Sequence, residues 1–138
     1  MSDLILAGLL PELQLKARIH RDRAHSMGID VLFTAGYRTA EQQIGEYAKG
    51  RMLGPAGWFV VDASKVVTHA LPDHAPHCRR AAYDLVPIVK ERAAWDRLDL
   101  FAELGRIGKE LGLVWGGDWP MKDCPHFEMP GWKSLPAP

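Results

Sequence analysis

The chain has 138 residues, of which 47% are hydrophobic, and this composition favours one globular domain over residues 1–138. Its 17 basic and 17 acidic residues cancel, so no basic excess indicates nucleic acid as a partner. No apolar run reaches the ~20 residues of a membrane span, and the apolar start lacks the basic residues of a signal peptide. We therefore expect a monomer that is made in the cytoplasm, without stable membrane association.

The first predicted element is an amphipathic helix. Apolar residues recur at helical spacing over residues 11–27, charged residues fill the other positions, and Gly28 follows as a stop signal. His20 and His25 lie on this helix among arginines. We expect both to be solvated surface residues.

A strand followed by a helix is predicted next. Residues 29–35 are short and β-rich, which indicates a buried strand. Thr39 stands three residues before Gln42, a capping-box pattern that opens a helix to about residue 48. Arg38 lies where the strand passes into the helix, and such a junction commonly directs a side chain into a cleft.

The middle of the chain is less regular. Residues 50–63 hold several glycines and aromatic residues and predict a loop or an irregular hairpin. Residues 64–69 are a candidate strand, and residues 83–89 are strand-like. Later, residues 98–111 carry the clearest amphipathic helix, and residues 130–138 indicate an extended end.

The stretch from Trp115 to Met129 gathers the residues with chemical potential. Within it, the alternation from His126 onward predicts a short strand that places His126 and Glu128 on one face. Asp123 stands three residues before His126. A strand histidine with an acid just upstream is typical of a metal site that has its own general base.

One histidine cannot hold a metal, so partners must come from elsewhere. His77 and Asp84 are the best candidates, and Asp84 is singled out because a charged Asp in an apolar run is costly unless it is paired or metal-bound. An odd separation of seven residues puts two side chains on opposite faces of a strand, so the chain must turn between them. His69 and His74 compete with His77 as ligands.

These residues resemble the zinc peptidases that cut peptidoglycan stem peptides. That family joins D-Ala-D-Ala carboxypeptidases and dipeptidases to the L-alanyl-D-glutamate endopeptidases of phage endolysins. Its first motif, Ser-x-His-x-x-Gly-x-Ala-x-Asp, matches residues 75–84 at the His, the inner Ala and the Asp, with Ala75 and Arg80 in place of the Ser and the Gly. Its second motif, acid-x-x-His, matches residues 123–126.

Further matches extend the resemblance over most of the chain. Phage members often show Trp-Gly-Gly-Asp-Trp and Pro-His-Phe-Glu, which stand here at residues 115–119 and 125–128. A third match begins at Gly36-Tyr37-Arg38-Thr39. The resemblance implies an α+β fold in which a small antiparallel sheet carries the zinc site and packs against about three helices.

The resemblance also implies roles for single residues. His77, Asp84 and His126 would hold Zn²⁺ and leave one position for water, as in a catalytic site. Asp123 would act as general base and Arg38 would stabilise the oxyanion.

Two further residues are candidates for a supporting role. Glu128 and Tyr37 are expected to orient a ligand or to contact substrate. Asp118 is expected only to cap a turn.

Several functions stay open at this point. The first expectation is hydrolysis of the L-alanyl-D-glutamate bond of the peptidoglycan stem peptide, with access to the wall through a separate membrane-permeabilising protein. The alternatives are a D-Ala-D-Ala carboxypeptidase and a zinc-containing wall-binding domain without catalysis.

The two cysteines have several possible roles. Cys78 and Cys124 each lie within two residues of a proposed ligand and are expected to line the site as free thiols. A disulfide remains open, as does a structural zinc site built from both cysteines with His77 and His126.

Overall fold

The computed structural model describes residues 2–136, and the last two residues of the predicted extended end lie outside this range. The described residues form four α-helices: α1 (Ser2–Ala7), α2 (Pro11–Ser26), α3 (Ala40–Ala48) and α4 (Leu98–Glu110). The strands are β1 (Asp30–Ala35), β2 (Arg51–Gly54), β3 (Gly57–Val60), β4 (Ala82–Val89), β5 (Arg92–Ala93), β6 (Val114–Trp115) and β7 (His126–Glu128).

The strands form a five-stranded antiparallel sheet and a separate hairpin. The main sheet has the order β1-β4-β7-β6, with β5 paired to β4, and β2 and β3 form the hairpin. Where β4 meets β7, Asp84 pairs with His126 and Ala82 pairs with Glu128. The predicted α+β fold with a small antiparallel sheet is confirmed.

The helices cover one face of the main sheet and bury the core. α2 and α4 contact each other, and their apolar residues join Phe33, Tyr83 and Phe127 from the strands. The rings of Tyr83 and Phe127 are stacked, with centroids 5.8 Å apart. Full burial of side chains of this size contributes about 1.5–3 kcal/mol each, so the face of β7 opposite His126 anchors the strand.

His20 corrects one expectation, because this side chain is fully buried and not solvated. It lies on the buried stripe of α2 together with Leu13, Ala17 and Ala24. Its Nδ1 lies 2.6 Å from the hydroxyl oxygen of Tyr83 and its Nε2 lies 2.9 Å from a main-chain carbonyl of α4. With both ring nitrogens paired, the imidazole can be buried at little cost. His25 is exposed, as predicted.

The segments with weak sequence patterns differ most from expectation. Residues 64–69 were a candidate strand, but the chain forms a 3₁₀ turn at Ala63–Lys65 and then runs without strand pairing. The predicted extended end instead contains a 3₁₀ turn at Trp132–Ser134, with Trp132 buried. Helix α1 had not been predicted. None of the described helices has the length and apolar character needed to cross a bilayer.

Candidate metal centre

Three elements bring His77, Asp84 and His126 together. Asp84 and His126 are direct neighbours across β4 and β7. His77 lies on the 3₁₀ helix Pro76–Arg79, and the chain reverses at Arg80, whose φ of 59° is left-handed. The turn that the seven-residue separation required is therefore present.

Arg80 occupies a backbone conformation that suits glycine better. The left-handed region costs a side-chain-bearing residue about 1–2 kcal/mol. Two contacts hold the Arg80 side chain and offset this cost: it donates to the carbonyl of Gly8 over 2.9 Å, and its guanidinium lies 3.8 Å from the ring centroid of Tyr37. The departure from the family motif thus leaves the turn in place.

The three inward-facing atoms form a nearly equilateral triangle. His77 Nε2 lies 3.2 Å from His126 Nδ1 and 3.4 Å from Asp84 Oδ1, and His126 Nδ1 lies 3.2 Å from the same carboxylate oxygen. Zinc binds such ligands at ~2.0–2.2 Å, which places neighbouring ligand atoms of a tetrahedron about 3.3–3.6 Å apart. The donor set and its spacing therefore fit a zinc ion.

Each imidazole is fixed by an acceptor on its outer nitrogen. His77 Nδ1 lies 2.8 Å from the carbonyl oxygen of Gly36, and His126 Nε2 lies 2.8 Å from Glu128 Oε1. If each outer nitrogen donates, the inner nitrogen keeps a free lone pair for a metal. The shared face predicted for His126 and Glu128 is confirmed.

The electrostatics of the cluster favour a cation. Burial alone raises the pKa of Asp84, but hydrogen bonds from His126 and His77 outweigh it and hold this pKa well below its usual range. Burial lowers the pKa of His126, whereas hydrogen bonds to Asp84 and Glu128 raise it to about 9. The carboxylates of Asp84 and Glu128 thus favour positive charge at His126, and a metal cation held by the cluster would compete with a proton for its imidazole.

Asp123 and Arg38 lie beside the cluster. Asp123 Oδ2 is 4.0 Å from His126 Nδ1, and burial raises the pKa of this carboxyl. Arg38 Nη2 is 3.9 Å from Asp84 Oδ2, and its Nη1 donates to Gln43 Oε1 over 3.4 Å. Gln43 is buried and donates to the carbonyl of Ala70 over 2.8 Å, so it holds Arg38 against the cleft.

A cleft of about 760 Å³ surrounds these groups. Residues 66–70 line one part of it, and Trp119, Met121 and Lys122 line another. The Trp119 ring lies 5.2 Å from the His126 ring. Sequence reasoning missed Trp119 and Gln43 as site residues, although the Trp-Gly-Gly-Asp-Trp motif and the capping-box helix were the signals that contained them.

Comparison with known proteins shows which family the chain is related to. Residues 69–129 match a family described as D-alanyl-D-alanine carboxypeptidase. The chain is 31% identical over 132 residues to the peptidoglycan L-alanyl-D-glutamate endopeptidase CwlK of Bacillus subtilis, covering 88% of this chain and 73% of that protein. The chain belongs to the peptidase family of these two matches. It is a metallopeptidase.

Two solved structures share the fold. The L-Ala D-Glu endopeptidase ChiX of Serratia marcescens superposes with a TM-score of 0.66 at 22% identity, over 93% of this chain and 85% of that one. The vancomycin-resistance D,D-pentapeptidase VanY, in complex with Zn(II), gives 0.62 at 17% identity, over 91% of this chain and 74% of that one. At these sequence identities, both similarities show that the fold is shared and nothing further.

The other candidate histidines and Tyr37 lie apart from the cluster. His69 and His74 line the cleft, but neither joins the group of potential metal ligands that the structure forms within residues 2–136. Tyr37 lies in a separate shallow groove beside Arg80. Asp118 pairs with Lys109 over 3.1 Å and stays outside the cleft.

The cysteines do not build the alternative four-ligand site. Cys78 and Cys124 are free thiols, so the disulfide is absent. Cys78 Sγ faces the carbonyl of Thr39 at 3.8 Å, and burial raises the pKa of this thiol. The metal-ligand group found within residues 2–136 contains neither cysteine, so the geometry leaves one ligand position open.

Proposed function

We propose that this chain is a zinc-dependent peptidoglycan peptidase that hydrolyses the amide bond between L-alanine and D-glutamate in the stem peptide. The observation that carries the proposal is the triangle formed by His77, Asp84 and His126, with Asp123 and Arg38 at the same cleft. The activity of the relative with 31% identity supports the choice of bond.

His77, Asp84 and His126 would hold the zinc ion. When bound, zinc polarises the scissile carbonyl and lowers the pKa of water toward ~7. Two imidazoles and one carboxylate leave a tetrahedral position free, which is the arrangement of catalytic sites and not of structural ones. The acceptors on the outer nitrogens of both histidines keep the donor atoms aimed at one point.

Asp123 is suited to move the proton of the reaction. Burial raises its pKa, which makes the carboxylate a stronger base, while its half-exposed side chain stays open to the cleft. It takes a proton from the attacking water as the C–O bond forms. As the C–N bond breaks, it passes that proton to the departing amine of D-glutamate.

Arg38 is suited to stabilise the negative charge on the carbonyl oxygen. Its planar guanidinium is oriented by Gln43 and Asp84 before substrate arrives. A donor that is already in place stabilises the oxyanion without reorganisation. Hydrolysis then leaves a free carboxyl on L-alanine and a free amine on D-glutamate.

Mass spectrometry of digested peptidoglycan tests the proposal. Purified sacculi are treated with zinc-loaded protein, with chelator-treated protein, and with the zinc-loaded variants Asp123→Asn and Asp118→Asn. We expect a new amine on D-glutamate with the zinc-loaded protein and with Asp118→Asn, a matched control in the same stretch but outside the cleft. We expect no product from the chelated protein and a strongly reduced yield from Asp123→Asn.

The outcomes separate the alternatives. Release of single D-alanine would replace the proposed bond by D-Ala-D-Ala, which the family description favours as the second candidate. Full activity of Asp123→Asn would contradict the proposed general base. Intact wall in every sample, with zinc bound, would indicate a binding domain without catalysis.

A further inference from the structure

The turn at Trp132–Ser134 packs against the metal centre. Gly131 precedes the turn with a left-handed φ of 74°, and Trp132 is only 7% exposed. This turn begins shortly after the end of β7, so it is close in sequence to His126 and Glu128. Nothing in the resemblance or in the proposed reaction gives it a role.

The indole reaches His126 through one carboxylate. Trp132 Nε1 donates to Glu128 Oε2 over 2.7 Å, and Glu128 Oε1 lies 2.8 Å from His126 Nε2. All three residues are less than a tenth exposed. Each oxygen of Glu128 therefore has one buried donor, and the carboxylate is fixed from both sides.

Arg79 fixes the turn to the other half of the site. Its Nη1 donates to the carbonyls of Lys133 and Leu135 over 2.9 and 2.8 Å, and its Nη2 donates to the carbonyl of Asp73 over 3.0 Å. Arg79 shares the 3₁₀ helix Pro76–Arg79 with His77. The turn thus contacts the elements that supply both histidine ligands.

The orientation of His126 decides whether it can bind a metal. Rotating the ring by half a turn about the Cβ–Cγ bond would exchange Nδ1 for a carbon and remove the donor from the triangle. The hydrogen bond from Nε2 to Glu128 opposes this rotation, but only while the carboxylate keeps its position. If a buried carboxylate loses one of its two donors, the unsatisfied oxygen is costly. The side chain is then expected to shift toward another partner.

We propose that Trp132 is a positioning residue for the metal centre, which acts through Glu128 to keep Nδ1 of His126 directed at His77 and Asp84. Trp132 also lines the cleft, but in this role it acts on the metal centre only through Glu128. The inference rests on the proposed zinc site but needs no knowledge of the substrate. It assigns the C-terminal turn a function in metal binding.

Zinc affinity, measured by competition with a chromophoric chelator, tests this role directly. Partners of metal ligands typically contribute 10–100-fold in metal affinity. We expect Glu128→Ala to lower zinc affinity by an amount in that range and Trp132→Phe to lower it by about 10-fold. In the Glu128→Ala background, Trp132→Phe should cause no further loss, because the indole acts only through the carboxylate.

Two controls separate positioning from general stability. Trp95→Phe changes a tryptophan that is 55% exposed, and it should leave zinc affinity within twofold of the wild type. Replacing Trp132 by 3-benzothienylalanine keeps the bicyclic shape and exchanges the N–H donor for a sulfur atom that cannot donate. It should reproduce the loss in zinc affinity even if Trp132→Phe fails to fold. Thermal unfolding of the zinc-free proteins reports stability separately.

The results that overturn the inference are distinct from those that overturn the proposed function. If the wild type binds no zinc, the proposed metal centre fails. If the wild type binds zinc and the benzothienyl variant binds it equally well, only the role of Trp132 fails. Additive losses in the double variant would likewise show that Trp132 does not act through Glu128.

Discussion

His20 gives a stability prediction that depends on pH. Burial lowers the pKa of this imidazole from 6.5 to about 4; the hydrogen bond to the Leu104 carbonyl opposes the shift, and the charge of Arg23 adds to it. The folded protein therefore holds His20 neutral, whereas the unfolded chain protonates it below about pH 6.5. Stability from this residue is fully present above that pH and is lost as the pH falls toward 4.

The size of the effect follows from the two pKa values. A difference of one pKa unit corresponds to about 1.4 kcal/mol. Between pH 7 and pH 4, the linkage relation gives a loss of about 3 kcal/mol in the free energy of unfolding for a shift from 6.5 to about 4. Typical domains have only ~5–15 kcal/mol, so the loss is large enough to measure.

Urea unfolding of zinc-free protein at half-unit pH steps from 4 to 8 measures this contribution. The comparison is with His20→Gln, whose amide can accept from the Tyr83 hydroxyl and donate to the Leu104 carbonyl but does not titrate. The difference between the two proteins isolates His20, since all other titrating groups are common to both. Stability curves that run parallel from pH 8 to pH 4 would refute the reasoning.

The remaining predictions concern catalysis, capping, packing and metal. Asp123→Asn should lower kcat/KM about 10²–10⁴-fold in a peptidoglycan release assay while zinc affinity stays within threefold. Thr39→Ala removes the capping box with Gln42 and should cost about 1 kcal/mol in urea unfolding. Gly105→Ala places a methyl 2.4 Å from the Trp115 ring and should cost about 1–3 kcal/mol, whereas an unchanged Tm would contradict this packing. Zinc at 100 times its Kd should stabilise the fold by about 2.7 kcal/mol, and saturating chelator should remove the gain.

The features that were predictable from sequence depend on local pattern. The period-two alternation at β7 was enough to place His126 and Glu128 on one face, because a three-residue strand has no freedom to do otherwise. The capping box at Thr39 predicted the start of α3, because its two hydrogen bonds join residues only three positions apart. The choice of Asp84 also followed from a local cost, that of an unpaired carboxylate in an apolar strand, whereas the choice of His77 over His69 and His74 rested on its spacing to Asp84 and on the family resemblance.

The features that were missed depend on partners far away in the chain. His20 looked like a surface residue among arginines, and its burial requires Tyr83 and Leu104, which are 63 and 84 residues distant. The role of Gln43 likewise needs Ala70, across 27 residues. A polar residue is buried when its hydrogen bonds are satisfied, and sequence periodicity does not show which distant groups will satisfy them.

The three ligands of the metal centre are held in place in two different ways, by strand register and by a turn. They should therefore differ in how easily a substitution displaces them. Asp84 and His126 are fixed by the main-chain register of β4 and β7, which the buried Phe127 and Tyr83 stabilise from the other face. His77 has no such register and depends on the turn at Arg80 and on the carbonyl of Gly36. Changes that move the main chain should therefore displace His77 more easily than Asp84 or His126, because a register is harder to shift than a single turn.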